Sequence, residues 1–201
     1  MNINTTWATS DSHYGHNNVI KYSNRPFADA EEMDEVLISN HNSVVKPTDT
    51  VIHLGDFAFS GPARIKEILN RLNGKYIFLP GNHDNQFWKD RSLLDRFENA
   101  AQLREITKRI DGAKFNMSME VKYGDRGLIV LQHYSMLTWN KSHHGSLMLH
   151  GHSHGLLRYP KPMRMMDVGV DPQNYYPILL ADVVTQLEKI SPPTFDHQGE
   201  D

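Results

Sequence analysis

TVIHLGDFAFSGPARIKEILNRLNGKYIFLPGNHD, residues 50–84, decides the architecture of this chain. Thr50 to Leu54 is apolar and rich in β-branched residues, which predicts a strand, and it runs into Gly55-Asp56. Pro62 suits a first helical turn. Ile65, Ile68, Leu69 and Leu72 then recur at helical spacing, and Asn73-Gly74 stops the helix. Lys75 to Leu79 reads as the next strand and ends in Gly81-Asn82-His83-Asp84. Strand, helix and strand in so short a span make a crossover unit of a parallel sheet. In such sheets ligands bind beyond the carboxyl ends of the strands. Both polar blocks stand there.

Outward from this segment the pattern continues. Thr5 to Thr9 is expected as a strand ending at Ser10-Asp11. Asp29 to Val45 has an acidic start and apolar residues at Met33, Val36, Leu37 and Val44, as an amphipathic helix should, and Lys46-Pro47 stops it. Downstream, Gln102 to Ile110, Phe115 to Tyr123 and Gly127 to Gln132 are read as strands joined by turns at Asp111-Gly112 and Gly124-Asp125. Ser146 to Leu149 and Met163 to Val168 are further strands, with Met163, Met165 and Met166 as core, and Leu180 to Ile190 is a closing helix. Residues 1–190 are expected to form one α/β domain and 191–201 a mobile tail.

Composition narrows the function. A chain of 201 residues can bury a real core. Its net charge of −3 gives no basic surplus for bulk nucleic-acid binding. The absence of cysteine removes disulfides, thiolate nucleophiles and Cys-based metal sites, and is compatible with a cytoplasmic location. Met1 to Ser10 has no secretory pattern, and no apolar run approaches the roughly 20 residues of a membrane helix. Twelve histidines are many for this size, and His is the commonest metal ligand.

Five polar blocks concentrate the chemistry: Asp11-Ser12-His13, Gly55-Asp56, Gly81-Asn82-His83-Asp84, Leu131-Gln132-His133 and Gly151-His152-Ser153-His154. Each alone has an ordinary reading: a turn aspartate with an exposed histidine, a helix cap, a Pro-Gly-Asn turn, a structural histidine, a chance histidine pair. Their joint occurrence at strand ends is what decides. Together they offer enough oxygen and imidazole donors for two neighbouring metal ions, a standard device for attacking phosphorus esters with water. In the third block Asn82 offers an amide oxygen, His83 can move a proton, and Asp84 is placed to accept a hydrogen bond from His83 and orient it.

The blocks, in this order, resemble the calcineurin-like metallophosphoesterase superfamily, whose pattern is D-x-H, G-D, G-N-H-[DE], H and G-H-x-H. The resemblance spans Asp11 to His154 and implies a four-layer α-β-β-α sandwich of two mixed β-sheets flanked by helices. It implies one metal held by Asp11, His13 and His154, a second held by Asn82, His133 and His152, and Asp56 bridging them. A hydroxide between the metals would attack phosphorus in line, with His83 as general acid or phosphate donor. Donors of this kind suit Mn, Fe, Zn, Co or Ni, and Mn is expected to support activity.

The chain departs from the Ser/Thr protein phosphatase branch after Asp56. Phe57-Ala58-Phe59-Ser60-Gly61 lacks the Asp and Arg of G-D-x-x-D-R-G. It looks instead like the small, uncapped bacterial and phage members, whose first block runs D-x-H-x-G-H, here continuing to His16 and Asn17. His16, Asn17 and Arg25 are candidate substrate contacts; Tyr22, Trp139, Lys141, His143 and His144 are others. His53 and His150 are expected as packed side chains, His41 and His197 as surface residues, and Val168 to Asp171 as a turn near the site. The expected activity is a metal-dependent phosphodiesterase acting on a small or nucleotide-like phosphoester. The rivals are a phosphomonoesterase with the same metals and a metal-holding interaction module without catalysis.

Overall fold

The computed structural model describes residues 1–109, 117–125, 127–159 and 162–193. Two mixed four-stranded sheets face each other across a common core. In the first, β1 (Thr6–Thr9), β2 (Thr50–His53) and β3 (Lys75–Phe78) are parallel. The short β8 (Ile178–Leu179) joins β1 in the antiparallel sense, giving the order β3-β2-β1-β8. In the second, β4 (Ser118–Tyr123) forms a hairpin with β5 (Gly127–Gln132), which runs parallel to β6 (Leu147–His150); β6 in turn pairs with β7 (Met165–Asp167).

The helices are α1 (Asn17–Tyr22), α2 (Ala30–Val44), α3 (Pro62–Arg71), α4 (Gln86–Lys89), α5 (Ala100–Arg109) and α6 (Leu180–Leu187). Helix α2 begins as its sequence dictates: the Asp29 side chain accepts from Glu32 N–H, satisfying an otherwise unpaired donor. Its buried face carries Met33, Leu37 and Ile38, while α3 buries Ile65, Ile68 and Leu69. Ala8, Ile52 and Phe78 of the first sheet join Ile129, Leu131, Leu147 and Leu149 of the second in one apolar cluster. Alternate residues Val130 and Met148 face the other way, onto Trp139, Met163 and Met165.

The main correction is α5. Read from sequence as a strand over Gln102 to Ile110, this segment is helical through Arg109. Ala100, Leu103 and Ile106 are spaced by three and pack on the core, with Leu103 fully buried. That spacing, not alternation, is what places one apolar face inward. The expected Asp111-Gly112 turn, the start of the Phe115 strand, His197 and most of the 191–201 tail lie outside the described residues.

Two isolated parallel bridges prolong the pairing past the strand ends. Tyr14 bridges Ala58, and Ser10 bridges Gly169, where Val170 N–H donates to Ser10 C=O at 3.0 Å. The second bridge joins the carboxyl end of β1 to that of β7, so the two sheets open onto one shared edge.

Candidate metal centre

That edge gathers all five polar blocks. Five of their residues adopt left-handed backbone: Asp11 (φ 55°), His13 (52°), Asp56 (54°), His152 (67°) and His154 (48°). Such conformations cost a non-glycine residue on the order of 1 kcal/mol or more and persist where the surrounding structure enforces them. Here they turn side chains two apart in sequence toward a common centre. Close approach of the second and third blocks needs glycine at both Gly55 and Gly81: a Cβ on Gly55 would overlap the Gly81 backbone, and one on Gly81 would overlap the Asp56 carboxylate.

Two donor groups result. Asp11, His13 and His154 form one and Asp56, His133 and His152 the other; within each, one donor atom per residue lies within 4.8 Å of the others. Asp56 Oδ2 stands between them, 3.6 Å from His13 Nε2 and 3.5 Å from His133 Nε2. Asn82 Oδ1 lies 3.1 Å from His133 Nε2. At these spacings the same atoms could share an ion between them. The fit is strengthened by buried polar atoms without a hydrogen-bond partner: Asp11 Oδ1 and both ring nitrogens of His13. Buried polar groups are ordinarily satisfied, and a cation would satisfy these.

Supporting bonds aim the imidazoles. His133 Nδ1 donates to Leu54 C=O (2.8 Å), which leaves Nε2 free to face Asp56. His154 Nδ1 lies 2.7 Å from Asp171 Oδ2, which Arg25 holds through two 2.8 Å bonds. Arg25 also donates to the carbonyls of Asp11 (2.7 Å) and Ser12 (3.0 Å). The guanidinium therefore ties the first block to the last from beneath. It is 4% exposed and not in position to touch a substrate, which corrects its assignment as a contact.

Electrostatics follow from burial against pairing. Burial pushes the Asp11 carboxyl up to about 7, with the nearby histidines opposing the rise. Burial also drives His13 down to about 3, against the pull of Asp56. Asp56 goes the other way: burial opposes its charge, but His133, His13 and the His83 N–H hold it below the usual carboxylate range. The same pairing raises His133 to about 9 despite burial.

The remaining sequence-derived candidates separate clearly. His83 is exposed at the mouth, and its backbone N–H donates to Asp56 Oδ1 at 2.9 Å. Asp84, expected from sequence to orient the His83 ring, bonds to backbone instead. It is buried and accepts from the N–H groups of Asp56, Phe57 and Gly81, bracing the loops on which Asp56 and Asn82 sit. His16 is at the site, 5.4 Å from His13 between ring centroids. Asn17 turns away and accepts from Ala30 N–H at the start of α2. His53 and His150 are packed as expected, bonded to Ser12 and Tyr159. His41, expected at the surface, is buried, because Asn73 C=O (2.9 Å) and the Tyr76 hydroxyl (3.0 Å) meet its Nε2 beneath α2.

Three neighbours escaped the sequence reading: Tyr134, whose hydroxyl donates to Asn82 Oδ1 at 3.2 Å; Phe59, whose ring centroid is 5.3 Å from that of His83; and Asp171 in its orienting role. Tyr134 follows His133 directly, and adjacency was its one signal.

A family model for calcineurin-like phosphoesterases matches residues 5–156. An uncharacterized protein of Methanocaldococcus jannaschii is 33% identical over 197 residues, 94% of each chain. The gene 66 protein of Mycobacterium phage L5 is 27% identical over 190 residues, covering 84% of this chain and 87% of the phage protein. A crystal structure of an Aquifex aeolicus protein of unknown function shares the fold, with a TM-score of 0.58 at 23% identity over 90% of this chain and 98% of that one.

Proposed function

The chain belongs to the calcineurin-like phosphoesterases, metal-dependent hydrolases of phosphoesters, and from that premise we propose that it is a phosphodiesterase with Mn as its working metal. The observation that carries the preference is the position of Arg25. A terminal phosphate dianion is best gripped by a bidentate guanidinium, and this one is committed to Asp171 and two carbonyls. A diester carries less charge to neutralise; the proton for the departing alkoxide, which either ester needs, is assigned to the exposed His83.

We assign Asp11, His13 and His154 to one ion, Asn82, His133 and His152 to the other, and Asp56 to both. When bound, such a pair supplies Lewis acidity at phosphorus and an activated water for in-line attack. The chain's own groups do the rest. Asp56, kept ionised by His133 and His13, presents a full negative charge to both positions. Asp171 and Leu54 C=O fix the tautomers of His154 and His133. Asp84 holds the Asn82–His83 turn rigid against the Gly55–Asp56 loop. His83 reaches the leaving oxygen from outside and donates its proton.

The test is hydrolysis of bis-p-nitrophenyl phosphate beside p-nitrophenyl phosphate by protein stripped of metal and refilled with Mn. Faster diester cleavage is expected. Faster monoester cleavage would overturn the diester preference, and activity unaffected by chelation would overturn the metal assignment.

A further inference from the structure

The segment after Asp56 that departs from the protein phosphatases remains unexplained by the metal chemistry. Its Phe59 is half exposed at the mouth of an otherwise polar site. One ring face stacks on His16, with centroids 4.2 Å apart and planes 13° apart, and the ring lies 5.3 Å from His83 at a tilt of 60°. We infer that Phe59 is the shelf on which the organic group of the substrate lies, and that this group is a planar aromatic ring, as in a nucleoside phosphate. The inference rests on the proposed phosphoesterase reading and names its substrate class.

Three observations carry it. First, the shelf is rigid. Phe59 N–H donates to Tyr14 C=O (2.8 Å), Tyr14 N–H to Phe57 C=O (3.0 Å), and Ser60 Oγ to Tyr14 C=O (3.2 Å). The first and second loops are thereby zipped beyond their strands, and a ring held this way loses little freedom when a ligand docks. Second, the shelf adjoins the group proposed to protonate the leaving oxygen, so an organic substituent on that side of the phosphate meets it. With one face covered by His16, the rest of the ring is open to offset or edge contact, geometries that aromatic partners favour. Third, the net charge of −3 gives no basic surplus for gripping a polyanionic strand, which favours a small phosphoester over a nucleic acid.

Base stacking on an aromatic side chain tolerates any base and is strong enough to change affinity tenfold or more. The experiment compares adenosine 5′-monophosphate with ribose 5-phosphate, in which a hydroxyl replaces the base, binding to Mn-loaded full-length protein in calorimetry. The wild type is expected to bind the nucleotide at least tenfold tighter. Phe59→Leu, which keeps apolar bulk but no ring, should reduce the preference to within about threefold, and Phe59→Trp should restore it. Equal affinities in the wild type, or a preference untouched in Phe59→Leu, would overturn the shelf while leaving the phosphate site standing. Failure of the Mn-loaded protein to bind the nucleotide would overturn the shelf if bis-p-nitrophenyl phosphate is still cleaved, and would bring down the proposed metal site, and the shelf with it, if it is not.

Discussion

Replacing Asp11 by Asn should make the metal-free protein more stable, although Asp11 is central to the proposed site. The carboxylate is fully buried, its Oδ1 has no partner, and burial raises it from 3.8 to about 7. At about 1.4 kcal/mol per pH unit, keeping this group charged above pH 7 costs the folded state about 4 kcal/mol. His133 draws part of its own raised pKa from Asp11, which returns some of that, so a gain of about 2–4 kcal/mol is expected. Asparagine can still accept from His152 N–H, as Asp11 Oδ2 does, and it tolerates left-handed backbone. The sign is fixed by linkage. The folded state holds the Asp11 proton more tightly than the unfolded chain, so the cost is absent below about pH 3.8 and complete above about pH 7. Urea unfolding in chelator should place the Asp11→Asn midpoint above wild type at pH 8, with the gap shrinking as pH falls toward 4. Mn at about 1,000 times Kd should reverse the order, because the group of Asp11, His13 and His154 then adds about 4.1 kcal/mol to the wild type alone. A variant no more stable than wild type at pH 8, or a gap independent of pH, would refute the reasoning.

Other outcomes follow from the same geometry. His83→Ala should keep its full metal content, measured by atomic absorption, while kcat falls by roughly 10²–10⁴. Gly81→Ala should lose metal as well as activity, since the added methyl overlaps the Asp56 carboxylate and crowds the His133 ring; unchanged Mn stoichiometry would contradict the close packing. Mn binding should release protons and tighten as pH rises from 6 to 9, because Asp11 (about 7) and His133 (about 9) must shed theirs; potentiometric titration reads this directly. Buried His41 and His53, lowered by burial to about 4 and about 3, should make stability fall as pH drops below about 6.5, where the unfolded chain takes up protons that the folded state refuses. In the Asp11→Asn background, which removes the opposing carboxyl, a urea midpoint equal at pH 7 and pH 5 would count against their burial as neutral groups.

Much of this was legible in the chain itself. The crossover unit of residues 50–84, the start of α2 at Asp29 and the five polar blocks all rest on local physics: apolar periodicity, a capping carboxylate, glycine and proline where the chain must turn. Grouping the donors required the blocks in order and the family resemblance they carry; the folded chain gathers Asp11, His13 and His154 in one cluster and Asp56, His133 and His152 in another. Tertiary structure alone decided the rest. Helix α5 was misread because QLREITKRI offers both alternation and a three-residue spacing, and only the core against Leu103 selects between them. Arg25 passed for a substrate contact until the fold brought Asp171, distant in sequence, to its guanidinium, and His41 passed for a surface residue until Tyr76 and Asn73 enclosed it. Phe59 looked like any apolar loop residue; the stacking on His16 that exposes it beside His83 comes from pairing between two loops. Sequence carries what neighbours along the chain impose on one another. The partner of a charged or aromatic side chain is set by which strand ends converge, and that information exists only once the two sheets have packed.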